Sequence, residues 1–224
     1  MATYVNNLRL KEIATGDESG TWGTSTNTNL ELIGQALGYG TEGITTNADT
    51  HATTIADGSA DEGRALMLKY TGTLDSTCTI TLGPNTVKKV WIIENATSGS
   101  QSIAISQGSG ANVTIANGRT AVVYSDGAGS GAAIVDALTD LTVTDSITIA
   151  GATPTLTIGD AEAEDTKIVF DGHAKDFYVG LDDTADKLVI GEGSAVGTNS
   201  ILTLTDDSVT LGDGAADVDA KLVF

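Results

Sequence analysis

The sequence predicts a mainly β protein that has one short N-terminal helix, then an antiparallel β-sandwich module and a repetitive β shaft. The 224 residues include 27 glycines but only two prolines, and aromatic residues make up only 4% of the chain. Threonine and the β-branched aliphatic residues favour the pleated surface of a sheet. Short runs of alternating apolar and polar residues are separated by glycine and aspartate turn signals, and this pattern indicates many short strands.

The N-terminal segment, residues 1–50, contains the strongest helix signal of the chain. Leu30, Ile33 and Leu37 are spaced by three and four residues, which predicts one apolar stripe on a helix at about residues 25–37. Ser25–Asn27 are candidate N-cap residues, and Gly38 is a candidate C′ residue. A short amphipathic helix is not stable alone, so its stripe must pack against this chain or against a partner.

Trp22 lies between Gly20 and Gly23, just before the predicted helix. Because buried aromatic side chains contribute strongly to binding at interfaces, we expect Trp22 to be an anchor that inserts into a partner. The alternative is that Trp22 packs against the chain's own helix.

Two stretches flank the predicted helix. The alternating run Tyr4–Leu10 is interpreted as an edge strand or an extended arm. Tyr39–Asp57 has no hydrophobic period and is rich in Thr, Gly and Asn, so it is interpreted as a linker.

Residues 51–138 contain short strand-like runs at a spacing of roughly ten residues, which is typical of an antiparallel sandwich or barrel. The predicted strands are Ala65–Tyr70, Cys78–Leu82, Lys89–Glu94, Ser102–Ser106, Asn112–Ile115, Thr120–Tyr124 and Ala132–Val135. The predicted core residues are Leu68, Trp91, Ile93, Ile103, Ile105, Val113, Ile115 and Val123. Cys78 is the only cysteine of the chain, and we expect it to be a small buried hydrophobe.

Residues 139–224 have a different, repetitive pattern. Three runs alternate apolar residues with threonine or serine and are predicted to be strands: Leu141–Val143, Ser146–Ile149 and Leu156–Ile158. Thr157–Asp160 and Lys167–Phe170 return as Thr210–Asp213 and Lys221–Phe224, and Lys187–Ile190 is a weaker copy of the second element. A period of this length, about 53–54 residues, indicates stacked units. The second copy stops within a unit at Phe224, so we expect the natural chain to continue further.

Three parts of the chain carry a resemblance to one class of proteins. The run Ser19–Gly23 with Asn27–Leu30 resembles the N-terminal segment of structural proteins of tailed bacteriophages, especially marine ones. Leu66–Gly72, Val90–Gly99, Val113–Ile115 and Asn117–Gly127 are similar to a β module of phage tail fibres. Gly151–Asp160, Asp165–Gly172 and Asp176–Asp183 are similar to fibre-shaft repeats.

The resemblance implies a virion fibre, usually a homotrimer, that is anchored by its N-terminus and projects towards the host for adsorption. Trp22, Leu30, Ile33 and Leu37 are the predicted virion-attachment residues. The short strands also favour a trimer, because three chains wound together supply apolar neighbours and cover edge strands. We expect its partners to be further copies of itself, phage tail or capsid proteins and, through a more distal part, a host receptor. The alternatives are a capsid-associated head fibre or decoration protein, a bacterial surface adhesin and a glycan-depolymerase spike.

The charge distribution argues against some partners. The formal net charge is −19, and residues 139–224 alone carry −13. A protein this acidic lacks the Lys and Arg residues that bind phosphates, so nucleic acid and anionic membranes are not expected partners. Met1–Leu10 lacks the basic and apolar regions of a signal peptide, and no run approaches the ~20 apolar residues of a membrane span. We therefore expect assembly in the host cytoplasm and a final location in the virion.

No catalytic residue, cofactor or metal ligand is predicted. The acidic clusters at 162–165, 182–186, 206–207 and 213–219 do not have the spacing of a known Ca²⁺ loop, and solvated turns are their expected place. His51 and His173 are expected in surface loops. Gly127–Gly131 and Gly191–Gly193 are expected to be hairpin loops, because no helix follows them as a phosphate site requires. Aromatic residues are too few to line the cleft of a glycosidase.

Overall fold

The computed structural model describes residues 3–139, 141–159 and 163–212. The chain divides into two compact units, Met1–Thr142 and Val143–Phe224. Strands are the main regular structure in both units, so the predicted mainly β class is confirmed.

The first unit begins with a small hairpin and a helix. Strands β1 (Thr3–Val5) and β2 (Leu10–Glu12) pair in antiparallel fashion, so the run Tyr4–Leu10 contains parts of two strands and the turn between them rather than a single edge strand or an extended arm. Helix α1 spans Trp22–Ala36, so it begins before the predicted position and includes Trp22 as its first residue. The predicted N-cap residues Ser25–Asn27 therefore lie inside the helix, and Thr21 is the N-cap instead. Gly38 follows the C-cap without a positive φ, so it is not a left-handed C′ glycine.

The rest of the unit is a sandwich of two mixed sheets. One sheet has the strand order β11–β10–β7–β5–β3, and the other has the order β4–β6–β8–β9. The strands are β3 (Tyr39–Gly43), β4 (Thr50–Thr54), β5 (Met67–Thr71), β6 (Cys78–Gly83), β7 (Val90–Asn95), β8 (Ile103–Ser106), β9 (Val113–Ile115), β10 (Thr120–Ser125) and β11 (Ile134–Asp136). All seven predicted strands of residues 51–138 are confirmed, each within two residues at either end.

The chain winds through this sandwich as a helical coil of strands. Strands β3, β5 and β7 lie parallel in one sheet, and β4, β6 and β8 lie parallel in the other, because the chain alternates between the sheets. One turn of the winding runs from Tyr39 to its neighbour Met67, and the next runs from Met67 to its neighbour Ile92. Strands β9, β10 and β11 then add antiparallel pairs. The prediction of a sandwich is therefore right, but the prediction that it is antiparallel is wrong for these six wound strands.

The two sheets enclose one apolar core. Its fully buried members come from both sheets and include Leu68, Cys78, Ile80, Trp91, Ile93, Ile103, Ile105 and Val123. Every predicted core residue lies in this core, although Val113 is only half buried at its margin. Cys78 is a free, buried thiol, as expected. Alternation with period two identified these residues because each strand has one face towards the opposite sheet.

The predicted linker at Tyr39–Asp57 is wrong. It contains β3 and β4, which form the first turn of the winding, and it contributes Ile44 and Ile55 to the core. These strands are polar and glycine-rich because each lies at the edge of its sheet, where fewer side chains are enclosed. The helix is consequently joined directly to the sandwich: Met67 N donates to the Gly38 carbonyl oxygen at 3.2 Å.

The connecting loops of successive turns also stack on one another, and Gly99 is required at one such point. Its φ is +97°, and a Cβ atom there would overlap the carbonyl oxygen of Leu74. We expect Gly99→Ala to lower the free energy of unfolding by about 1–3 kcal/mol, because the backbone of the neighbouring loop must move. Urea titration followed by circular dichroism measures this loss. Gly118→Ala is the matched control, since Gly118 has φ +71° and open space around its Cβ position. Equal losses in the two variants would contradict the steric explanation.

In the second unit, the described strands form one antiparallel meander. The strands are β12 (Thr166–Phe170), β13 (Phe177–Asp182), β14 (Lys187–Glu192), β15 (Ser200–Leu204) and β16 (Val209–Leu211), in that order across the sheet. Lys167–Phe170 and Lys187–Ile190, which the repeat pattern singled out, lie on β12 and β14. Lys221–Phe224, Asp160 and Asp213 lie outside the described residues.

The predicted strands at Leu141–Val143, Ser146–Ile149 and Leu156–Ile158 are not present as strands. These residues have no regular secondary structure and are exposed, although Thr210 and Leu211 of the corresponding repeat lie on β16. The physical difference is a neighbour: β16 pairs with β15, whereas none of the described strands pairs with residues 141–159. Alternation alone does not make a strand without a pairing partner.

Candidate functional site

The predicted attachment residues are exposed on one side of helix α1 and its C-cap. At 100° per residue, Trp22, Leu30, Ile33 and Leu37 fall within an arc of about 80°. Their side chains are exposed to 63%, 60%, 38% and 77%, respectively. We call this set of four residues the helix stripe. A large apolar surface of this kind is more informative than single exposed apolar residues, because soluble proteins usually bury or pair such surfaces.

A different side of the helix holds it on the unit, largely through polar contacts. The Asn29 side chain pairs with the backbone of Lys11 on β2: it accepts from Lys11 N at 3.0 Å and donates to the Lys11 carbonyl oxygen at 2.9 Å. Lys11 Nζ donates to Ser25 Oγ at 3.2 Å and forms an ion pair with Glu18. Asn29 therefore acts as a substitute strand partner for β2 and holds the helix in one rotation.

The small apolar residues of α1 complete this packing. Leu32 and Ala36 are the buried residues of the helix, and Gln35 Oε1 accepts from Asp61 N at 3.4 Å. These residues lie at a different angle from the helix stripe. The spacing of the apolar residues located the stripe correctly but did not show which side faces the chain. In the sequence, Leu32 is one large apolar residue beside a stripe of several, so it did not indicate that its side of the helix is the buried one.

The structure brings Trp22 into the same surface as Leu30 and Ile33. Trp22 is the first residue of the helix, and its side chain lies mainly in solvent rather than against the unit. The alternative, in which Trp22 packs on its own chain, is therefore less favoured by the geometry. The ring is accessible to a partner in this arrangement.

The histidines do not form a site together. His51 is not in a surface loop as expected: it lies on β4, half buried, with Nε2 at 2.7 Å from Glu42 Oε1 on β3. This contact joins the edge strands of the two sheets. His173 lies in the exposed connection between β12 and β13, as expected.

The acidic and glycine-rich motifs occupy structural positions. Asp182 ends β13, Asp183 and Asp186 lie in the turn between β13 and β14, and Asp206 and Asp207 lie in the turn between β15 and β16. Among the described residues, no group of three or more His, Cys, Asp or Glu side chains is placed to hold a metal ion. Gly127–Gly131 connects β10 to β11 as a hairpin loop, as expected.

Gly191 corrects the expectation that Gly191–Gly193 is a loop. It lies on β14 and is buried opposite Tyr178, whose ring occupies the space of the missing side chain. The glycine is therefore required by packing, because any side chain at Gly191 would overlap the tyrosine.

Comparison of the chain with protein-family models, with curated proteins and with solved structures found no match. In the part of the chain that is described, no helix is both long enough and apolar enough to cross a membrane. The helix stripe is therefore identified as a candidate site from the sequence and structure of this chain, without support from a relative.

Proposed function

We propose that this chain is a structural protein of a bacteriophage virion, a homotrimeric tail fibre attached through the helix stripe on α1. The observation that supports this function is the exposure of Trp22, Leu30, Ile33 and Leu37 on a helix that is already held by other contacts. Such a surface is ready for a partner, because binding it requires no rearrangement of the helix. The order of the three resembling segments along the chain points to the same class of protein.

The attachment is a hydrophobic interface with Trp22 as its anchor. Tryptophan is enriched among the residues that contribute most to binding, and leucine and isoleucine around it exclude water. The polar side of the helix keeps the stripe at a fixed angle through Asn29 and Lys11. The wound sandwich serves as a rigid spacer, and the second unit begins the shaft.

Point variants test the attachment better than a deletion does. Removing residues 1–40 would also remove Leu32, Ala36 and the first residues of β3, which belong to the packed unit. We expect Leu30→Asp/Ile33→Asp to reduce the amount of this protein in purified particles by about tenfold or more, because each buried anchor contributes about 1–2 kcal/mol. Quantitative mass spectrometry of purified particles measures the incorporation.

The matched control is Thr24→Asp/Asn27→Asp, which places two aspartates on the solvent side of the same helix. Both side chains are exposed and lie outside the helix stripe. Normal incorporation of the stripe variant would contradict the attachment site. Antibody labelling of particles in the electron microscope locates the protein. Label on the head instead of the tail would contradict the tail fibre and support the capsid-associated alternative.

A further inference from the structure

The sheet of the second unit has one face that is almost entirely apolar and open. Strand registers place Ile168, Val179, Ile190, Leu202 and Leu211 in one row across all the strands of the sheet. A second row contains Leu181, Leu188, Leu204 and Val209, and a third contains Phe170 and Phe177. We call these residues together the apolar face. Phe170 is 61% exposed and Val209 is 66% exposed, so no described residue covers them.

Part of the opposite side of the same sheet is covered by the chain itself. Tyr178 is fully buried there, and its Oη donates to the Thr198 carbonyl oxygen at 3.0 Å and accepts from Gly197 N at 3.1 Å. The connection between β14 and β15 thereby closes over Tyr178 and Val189, which is also buried. The chain thus covers the centre of this second side, where Val169 is still 44% exposed, whereas no described residue covers the apolar face in the same way.

Charged residues are placed around the apolar face rather than on it. The described aspartates of this unit lie in the turns and before the first strand, except Asp182, which ends β13 on the Tyr178 side of the sheet. Among the described strands, the charged residue on this face is Glu192, which pairs with Phe177. It is the last residue of β14, so it lies at the margin of the face. A sheet face with aliphatic rows and a charged rim matches the anatomy of a protein interface.

The sequence repeat indicates which partner fits. Val209 and Leu211 on β16 correspond to Leu156 and Ile158 in the earlier copy of the first repeat element. Ile168 and Phe170 on β12 correspond to Leu222 and Phe224 in the later copy of the second element. These four positions of the apolar face are thus apolar in both copies of their repeat element. A partner that covers these apolar positions along the chain must present apolar residues at the same spacing. Another copy of this chain does so, because it has the same repeat.

We infer that the apolar face is the surface through which copies of this chain associate, with three copies packing these faces towards a common axis. The inference rests on the proposed homotrimer for its stoichiometry, but it does not depend on attachment to a virion. Closed symmetric association hides the faces of all copies at once, so none remains open to uncontrolled pairing. The acidic turns stay at the solvent side, where they keep the assembly soluble.

The test is the mass of the full chain in solution, with substitutions on the two sides of the sheet. Sedimentation velocity at about 1–100 µM covers dissociation constants in the micromolar range. We expect the unmodified chain to be a trimer and Leu188→Asp/Val209→Asp to be a folded monomer, because both side chains are exposed in the single chain. The matched control Thr210→Asp lies between Val209 and Leu211 but on the other side of β16, and we expect it to remain trimeric.

The outcomes separate this inference from the proposed function. A monomeric unmodified chain, or a trimer that survives Leu188→Asp/Val209→Asp, overturns the apolar face as the interface. A dimer that the same variant dissociates supports the face but contradicts the proposed trimer. The helix-stripe variant Leu30→Asp/Ile33→Asp is expected to keep its mass. Loss of the trimer in that variant alone would assign association to the helix and overturn the inference.

Discussion

Replacing Trp91 with alanine is expected to lower the free energy of unfolding by about 3–5 kcal/mol, because it leaves a large cavity in the core of the first unit. Trp91 is 1% exposed and lies on β7, in the middle of its sheet. Its Nε1 donates to the Gly63 carbonyl oxygen at 2.8 Å, and Lys89 Nζ lies 4.6 Å from the ring centroid. The substitution therefore removes apolar contacts, a buried hydrogen bond and a cation–π contact together.

Urea titration followed by far-ultraviolet circular dichroism measures this effect without relying on tryptophan fluorescence. The adjacent Val90, which is 47% exposed, provides the matched control. Val90→Ala is expected to change the free energy of unfolding by less than about 0.5 kcal/mol, as is usual for surface substitutions. A loss below about 1 kcal/mol for Trp91→Ala would show that this core tolerates the cavity and would contradict the packing described for β7.

Asp61→Ala is expected to lower the free energy of unfolding by about 3–5 kcal/mol, because it leaves a fully buried guanidinium group without its counter-charge. Asp61 Oδ2 lies 2.9 Å from Nη2 of Arg64, and Oδ1 accepts from the Arg64 backbone N–H at 2.7 Å. Arg64 has no solvent-exposed surface. Burial also lowers the pKa of nearby Lys89 to about 8, with a smaller lowering from Arg64, and Asp61 opposes this effect. Losing the carboxylate therefore disfavours two cations at once.

Thermal and urea unfolding of Asp61→Ala can be compared with Asp57→Ala. Asp57 also pairs with an arginine, Arg9, but the side chain of Asp57 is 48% exposed and that of Arg9 is 27% exposed. The exposed pair is expected to contribute about 0–1 kcal/mol. Asp61→Ala/Arg64→Met is expected to recover part of the loss, since the double variant removes the uncompensated charge. An Asp61→Ala variant as stable as Asp57→Ala would contradict the buried pair.

The positions of the strands in the first unit follow from local patterns. The strands from Met67 to Asp136 and their core residues, such as Leu68 and Ile105, were predictable because alternation with period two reflects one buried face. The pairing of the strands was not predictable, since it depends on where the chain crosses between the sheets. Short turns favoured antiparallel neighbours, whereas the loops actually lead each strand to the opposite sheet.

The candidate site was also predictable in part: its residues could be identified from the sequence, but the side of the helix that packs on the unit could not. Spacing alone identified Leu30, Ile33 and Leu37 as one stripe, and it identified Trp22 as unusual among few aromatic residues. Which side of the helix faces the unit was decided by Asn29, whose amide pairs with the backbone of Lys11. Such a contact joins residues 18 positions apart in sequence, so no local pattern contains it.

The sequence by itself therefore determined the β class, the strand positions from Met67 to Asp136, the core residues predicted on those strands and the apolar stripe of the helix. Each of these depends on the periodicity of a single segment. Only the tertiary structure decided the parallel winding, the exposure of the helix stripe and the open apolar face of the second sheet. These features depend on which segments become neighbours, and a side chain is buried or exposed only with respect to what packs against it.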